Sequence, residues 1–555
     1  MTRYSAHVAS PLSTPQNVRA RKDQVENNAG GFVFQLDCWK RLDRFLILGC
    51  DGPTYYASEK AHSVQASEAV KECIESDGPR TVARIVEISD AGRAIKNDPA
   101  IFALAMCAGA TNEATRRAAL AAIPKVCRIG THLFHFAEDV EKFRRWGRSL
   151  RTAVGGWYNA QKPDALALQV IKYQQRDGWS HKDVLRLSHP KPATPEHRAI
   201  LRYVQLGAGE MGKVREGKRD KDPITADKLP AIIQAFEEIH SEGVDKKRAV
   251  DLIATHKLPH ECVPNELKGD PKIWEAMLPS MGITALIRNL GKLSSIGMTK
   301  GLSSTTKDLA SRISDAAILK KGRVHPMTIL YAMKTYASGH GLKGSLSWDP
   351  ERMIVDALDE AFYLSFGNIE SAGKATMLAL DISGSMSSSM GGTNVSCREA
   401  SSAMAMVTAR TEKNWMCVGF TSGGGGYGGR WDAGRNGLTK IDISPRQRLD
   451  DICKKTDALP MGGTDCALPM VYATQEKLEV DVFTVYTDSE TWAGSIQPFQ
   501  ALQQYRQKSG RNAKLIVVGM TATEFSIADP RDAGMLDVVG FDTSTPNAMA
   551  EFARG

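Results

Sequence analysis

The chain has 555 residues, too long for one hydrophobic core, and its 42% apolar and 24% charged residues are the balance of a globular rather than a disordered or fibrous chain. No run approaches about 18 uninterrupted apolar residues, and residues 1–27 are polar with Pro11 and Pro15, so neither a membrane span nor a secretory segment is expected. The net charge of +8 is unevenly placed: residues 1–360 hold 53 Lys and Arg against 42 Asp and Glu, whereas residues 361–555 hold 18 against 21. That asymmetry points to a polyanion partner for the first part of the chain, with a solvated basic surface as the alternative. Ten cysteines stand singly without a Cys-x-x-Cys pair, which predicts buried reduced thiols, not a zinc module or a disulfide framework, and the cytoplasm is the expected compartment.

Residues 1–27 read as a polar tail. From about residue 60 to 370, apolar residues recur at helical spacing with Pro, Gly or Asp at the joints. Helices are expected before Pro124 (114–122) and at 165–175, 181–188, 197–206, 228–240, 246–256, 271–277, 282–290 and 326–337. Such a succession predicts an α-solenoid, with an irregular helical domain as the alternative, since no sequence repeat is evident. Within it, Lys172 and Arg176 are expected on one helix face, four residues apart, with Lys182, Arg186 and His189 on the next helix. Arg144, Arg145, Arg148 and Arg151 form a further basic cluster beside Trp146.

After a short linker, 367–374, strands and helices alternate, and several strands are apolar throughout, as in a doubly wound parallel sheet. The apolar run 375–380 ends in Asp381-Ile382-Ser383-Gly384-Ser385. Two further segments bring Thr464 and Asp488 to the ends of elements of the right type. Oxygen ligands at the carboxyl ends of strands suit a hard cation such as Mg²⁺; a capped strand-to-helix turn is the other reading. The spacing of Asp381, Ser383, Ser385, Thr464 and Asp488 resembles the metal-ion-dependent adhesion site of von Willebrand factor A domains. The glycine-rich stretch 421–436 lacks the Gly-Lys-Ser/Thr ending of a phosphate loop and reads as a surface insertion.

The segment from Lys172 to His189, together with Asn27-Asn28-Ala29-Gly30-Gly31-Phe32, the run 286–291 and Gly322-Arg323-Val324-His325-Pro326, resembles the Ro autoantigen family, the TROVE-domain proteins, in its bacterial form. The resemblance covers nearly the whole chain. It implies a ring of HEAT-like helical repeats over 28–370 and a von Willebrand factor A-like α/β domain over 371–555. It further implies a monomeric, nonenzymatic scaffold that binds small structured noncoding RNAs of the Y RNA kind on its outer surface. Single-stranded 3′ ends of misfolded RNAs would enter the ring, in noncoding RNA quality control, maturation or decay with polynucleotide phosphorylase as a partner.

By that likeness Lys172, Arg176 and His189 are the expected RNA contacts, while Lys182 and Arg186 follow from spacing alone. Arg288 and Arg323, with His325, are read as cavity-lining cations for single-stranded RNA, with interhelix ion pairing as the alternative. Trp179 reads as a core anchor. The glycine-rich stretch departs from the family pattern. A competing function is a metal-dependent adaptor whose cation captures an acidic partner. A nuclease is disfavoured because no second carboxylate cluster or general base accompanies the metal residues.

Overall fold

Helices form where the apolar period and the local caps agree. Asn112, Thr194, Asp245, Ser303 and Asp315 each accept a backbone N–H from the first turn of the helix that follows. Pro163, Pro195, Pro271 and Pro326 sit in first turns, where a missing N–H costs nothing. The computed structural model describes residues 13–49, 59–211, 225–301, 303–342, 344–367, 369–390, 394–422, 437–459 and 461–555. The glycine-rich stretch 423–436 lies outside them. None of the described helices is long and apolar enough to cross a membrane.

The strands are β1 (Gln24–Glu26), β2 (Phe32–Gln35), β3 (Gln175–Arg176), β4 (Trp179–Ser180), β5 (Thr376–Asp381), β6 (Trp415–Phe420), β7 (Leu438–Lys440), β8 (Val482–Thr487), β9 (Lys514–Gly519), β10 (Phe525–Ser526) and β11 (Met535–Val539). The main sheet runs β11-β9-β8-β5-β6-β7, parallel except for the β6–β7 pair, with helices on both faces. Between β2 and β5 the described chain is helical apart from the β3–β4 hairpin. This is the expected pairing of a helical array with a doubly wound α/β domain.

The array closes on itself. His325 caps the helix Pro326–Ala337 by accepting the Met327 N–H at Nδ1, and its Nε2 lies 3.1 Å from the Arg93 carbonyl, so the last helices are clipped to the first. Arg323 pairs with Asp90 at 3.2 Å on the same seam. Burial pushes His325 down to about 4, so it holds the seam as a neutral imidazole.

The two parts share a core. Leu378 and Leu380 on one face of β5 belong to the apolar cluster that continues through the helical array, whereas Met377 and Ala379 belong to the cluster on the other face, as strand alternation requires. Arg44, Arg93 and Lys334 of the helical part pair with Asp537, Asp542 and Glu399 of the α/β part at 2.7, 2.9 and 2.6 Å.

The segment expected as a polar tail is built into the α/β part over its described residues, 13–27. The strands β1 and β2 form an antiparallel sheet with β10, and Val33 and Phe34 enter the second core cluster. The expected helix 114–122 instead runs Glu113–Val126, with Pro124 inside its last turn. All described cysteines except Cys38 are buried, and none is disulfide-bonded.

Candidate nucleic-acid interface and metal site

The sequence places Lys172 and Arg176 on one helix, and the structure separates them. The helix Pro163–Lys172 ends at Lys172, and Arg176 stands on the β3–β4 hairpin. The two-residue loop is Asp177-Gly178, with φ of 48° and 83°, the left-handed pair that an Asp-Gly hairpin turn adopts. This dipeptide is the signal that predicts the hairpin.

Ser180 then caps the helix His181–Ser188 in a capping box with Asp183. His181 is buried beneath, with the Tyr158 hydroxyl 3.0 Å from its Nδ1 and the rings of Phe134 and Trp157 alongside. His189 closes the helix in a left-handed conformation, its N–H donating to the Leu185 carbonyl and leaving the ring exposed.

Lys172, Arg176, Lys182, Arg186 and His189 therefore stand on one helix–hairpin–helix unit. Arg176, Lys182, Arg186 and His189 are exposed, whereas Lys172 is half-buried, 3.3 Å from Glu261 and over the Tyr173 ring. Arg176 and Arg186 reach only Asp177 and Asp183 at 3.4 and 3.9 Å, and Lys182 and the His189 ring meet no partner among the described residues. Exposed pairs of this kind contribute at most about 1 kcal/mol, so an incoming phosphate displaces them readily. Glu261 is a neighbour that sequence reasoning misses, because a contact across this separation leaves no local trace. Trp179 is half-buried against the core, as expected of an anchor.

The hairpin is tied down by His135, whose Nδ1 lies 2.7 Å from Asp98 and whose Nε2 lies 3.0 Å from Asp177 in the turn. The hydrogen bond to Asp98 and the attraction of both carboxylates for the imidazolium outweigh burial and raise the His135 pKa; Arg176 is a nearby cation, whereas burial pushes neighbouring His132 down to about 4 and keeps it neutral. A group raised in the folded state contributes its full stabilisation below the unfolded value, about 6.5, and loses it as pH rises through the folded value. We therefore expect His135→Ala to lower Tm more at about pH 6 than at about pH 8.5. Equal losses at both would remove the ion-paired tie.

Arg288 and Arg323 do not join this unit. Both lie at the seam of the array: Arg323 takes the ion-pair role with Asp90, and Arg288 faces a cavity on the helix Ile283–Ser295. His325 is buried and serves as a cap. Of the cluster beside Trp146, Arg144 is spent on the Ala108 carbonyl, while Arg145, Arg148 and Arg151 are exposed.

Of the candidate metal residues, the structure brings Asp381, Ser383, Ser385 and Asp488 together, and the loop before Thr464 meets them where the Gly384 N–H donates to the Gly462 carbonyl at 3.4 Å. Asp381 ends β5, Asp488 follows β8, and Asp381, Ser383, Ser385, Thr464 and Asp488 are all buried. The Ser383 and Ser385 hydroxyls are 3.1 Å apart, the Ser383 N–H donates to Asp381 at 2.9 Å, and the Thr487 hydroxyl donates to the same carboxylate at 2.6 Å. Burial raises both Asp381 and Asp488, and their mutual repulsion adds to the rise of Asp381.

The Thr464 hydroxyl is buried without a partner. Among the described residues no three His, Cys, Asp or Glu side chains form a group that could hold a metal ion, and the candidate residues themselves offer two carboxylates and three hydroxyls. Such a set suits a hard oxygen-seeking cation, which would relieve the carboxylate pair and satisfy the orphaned hydroxyl. Cys466, nearby, is a buried residue whose thiol burial pushes far up.

Sequence reasoning misses what frames this site. Buried Arg398 donates to the Ile382 and Ser383 carbonyls, at 2.6 and 3.3 Å, and fixes the loop from below. From above, Asn27 donates to the Ser489 and Thr491 carbonyls, Gln16 bonds Asp465, and Asn28 and the Ala29 N–H hold Glu490. A Cβ on Gly31 would run into the Thr491 carbonyl, which is why glycine stands there.

The Ro60 vWA domain model matches residues 375–553, and the TROVE domain model matches residues 25–335. The chain is 41% identical over 550 residues to the RNA-binding protein RO60 of Deinococcus radiodurans, covering 98% of each chain. It is 34% identical over 607 residues to the RNA-binding protein RO60 of Caenorhabditis elegans, covering 98% of this chain and 92% of that one. The crystal structure of the Deinococcus radiodurans RO (RSR) protein matches with a TM-score of 0.67 at 40% identity, covering 94% of this chain and all of that one.

Proposed function

From the premise that the chain belongs to the Ro60 family of TROVE-domain proteins, we propose that it is an RNA-binding scaffold without catalytic activity of its own. In this reading it works in the cytoplasm as a monomer and carries small structured RNAs of the Y RNA kind. It also holds single-stranded 3′ ends of misfolded RNAs for maturation or decay, with polynucleotide phosphorylase as the degrading partner. The observation that carries the reading is the row of exposed or weakly paired cations on the unit from Lys172 to His189.

Arg presents paired donors that match phosphate oxygens, and the exposed cations leave room for a backbone to track across the unit. Arg288 and Arg323 would serve single strands at the seam. If about four phosphates are neutralised, affinity falls with a log-log salt slope near −3 to −4. The test is to purify the full chain at low salt, sequence the RNA that accompanies it, and measure that RNA's binding against salt. A discrete small structured RNA with a steep slope supports the reading; no enriched RNA overturns it.

The α/β site would hold Mg²⁺ on Asp381, Ser383, Ser385, Thr464 and Asp488, directly or through water, leaving a position for a carboxylate from a partner. Its support is the buried, unpartnered Thr464 hydroxyl together with the buried carboxylates of Asp381 and Asp488, both raised by burial. Mg²⁺ at ten times its dissociation constant is expected to stabilise the fold by about 1.4 kcal/mol. We expect a rise in Tm with Mg²⁺ that is lost in Thr464→Val and Asp381→Asn, with RNA affinity unchanged. A Tm indifferent to Mg²⁺ and Mn²⁺ would count against the site.

A further inference from the structure

Where the helical array closes, a cavity of 560 Å³ lies between residues 95–96, the helix Ile283–Ser295 and the helix Pro326–Ala337. This volume falls within the range of about 300–1,000 Å³ that small-molecule sites occupy. Three cations line it, Lys96, Arg288 and Lys292, and no Asp or Glu is among its lining residues. Arg288 and Lys292 are four apart on one helix and so present their charges on one face. Neither makes an ion pair or a side-chain hydrogen bond among the described residues. Arg288 and Lys292, two like charges beside a cavity without a lining carboxylate, favour an anion there.

The walls between these cations are suited to a flat ring. Trp348 lies stacked with Tyr336, ring centroids 6.0 Å apart at 21°, and its Nε1 donates to the Tyr336 carbonyl at 2.9 Å. Gly291 makes this possible, because a Cβ there would come within 2.7 Å of the indole. Tyr331, also lining the cavity, has no ring partner among the described residues, and the buried Thr335 hydroxyl is unpartnered there. Lining cations, an aromatic face and an orphaned hydroxyl match the three parts of a nucleotide: phosphate, base plane and base edge or ribose hydroxyl.

We propose that this cavity binds one nucleoside monophosphate unit, with the phosphate on Lys96, Arg288 and Lys292, the base against Tyr331, and a polar edge on Thr335. The unit comes either from a free nucleotide or from the end of an RNA strand. The second source rests on the RNA-binding reading above; the first does not.

The test uses the full chain with two probes: adenosine 5′-monophosphate followed by saturation-transfer NMR, and a 5′-labelled pentauridylate followed by anisotropy. Arg288→Ala is expected to weaken the bound probe at least about tenfold, as is removal of the phosphate from the nucleotide. Tyr331→Ala should cost about tenfold, the scale of one stacked base. Lys292→Ala and Tyr331→Ala should leave capture of a structured RNA intact, and the combined Lys172→Ala and Arg176→Ala variant should leave the nucleotide bound. Failure of this proposal is thereby separated from failure of the RNA-binding reading.

Tighter capture of the oligonucleotide assigns the strand end, and tighter or equal capture of the monophosphate assigns the free nucleotide. Absence of binding by both probes, or binding that survives Arg288→Ala and Tyr331→Ala in variants with wild-type Tm, overturns the site.

Discussion

Changing Lys172→Ala, Arg176→Ala and His189→Asn together is expected to lower affinity for a structured RNA by about a hundred- to a thousand-fold at low salt. Hydrogen bonds to a charged group contribute about 1.5–3 kcal/mol each, and the contributions of neighbours on one unit do not fully add. Lys182 and Arg186 remain, so binding should weaken without vanishing. The salt slope should become shallower by about two, one increment of roughly 0.7 to 0.9 for each lost phosphate contact.

Asparagine is the replacement at position 189 because the residue sits at φ 45°, where Asn is tolerated and Ala is strained. Lys172 needs a control, since its removal leaves Glu261 without its 3.3 Å partner. Glu261 is one-third exposed and is also bonded by His260, so water and that imidazole should compensate and Tm should hold. An unchanged slope and affinity in a folded triple variant would remove this face from the RNA-binding account.

What was legible in the sequence was local. The helices His181–Ser188, Lys246–His256, Pro271–Met277 and Pro326–Ala337 and the apolar run that ends at Asp381 fall where the pattern places them, because their periods, prolines and capping side chains lie within the segments themselves. Asp381 and Asp488 were legible for the same reason, since one ends the apolar strand β5 and the other follows β8, whereas Thr464 stands in the loop ahead of the helix Leu468–Gln475 and not at its opening.

Arg176 was misplaced because helical spacing extends through Gln175, and the hairpin is signalled only by Asp177-Gly178. The N-terminal strands were illegible for a different reason. They are three and four residues long, too short to show a period, and they exist because β10, almost 500 positions away, completes their sheet. Gln16, Asn27 and Arg398 frame the metal loops through contacts that no local pattern encodes.

This N-terminal packing changes how the two parts of the molecule relate. A chain whose residues 13–35 pack on the α/β part, and which then runs through the helical array and returns to the α/β part, has its array held at both ends. The first helix, Cys38–Leu48, follows directly from β2, and the last array helix, Arg352–Leu364, meets the α/β part through Arg448 with Asp356 and through Phe362 against Phe541 at 6.0 Å. The closed seam at His325 and Arg93 depends on both attachments, since Arg93 itself pairs with Asp542. RNA on the array and a partner on the α/β part, as proposed above, would thus act on one packed body.

Arg44 is the side chain on which the first of these attachments depends, and Arg44→Met is expected to cost about 3–5 kcal/mol. The guanidinium and the Asp537 carboxylate are 1% and 2% exposed, 2.7 Å apart. The same guanidinium donates to the Thr523 and Phe525 carbonyls at 3.0 and 3.1 Å and to the Thr523 hydroxyl at 2.8 Å. Methionine keeps much of the volume but leaves a buried carboxylate and two carbonyls without donors, and the stranded charge is the larger loss.

Because a chain with two parts need not unfold in one step, the measurement is hydrogen exchange, not a single midpoint. Amides of the helix Cys38–Leu48 and of β11 should exchange about a hundred- to a thousand-fold faster if opening of this attachment governs their exchange. The combined change Arg44→Met with Asp537→Leu should recover part of the loss, since it removes the uncompensated charge. Arg44→Lys should recover little, because one ammonium cannot reach the separate acceptors that the planar fork spans. Exchange in Arg44→Met that matches the unaltered chain would show that shared apolar packing, not this buried pair, holds the array to the α/β part.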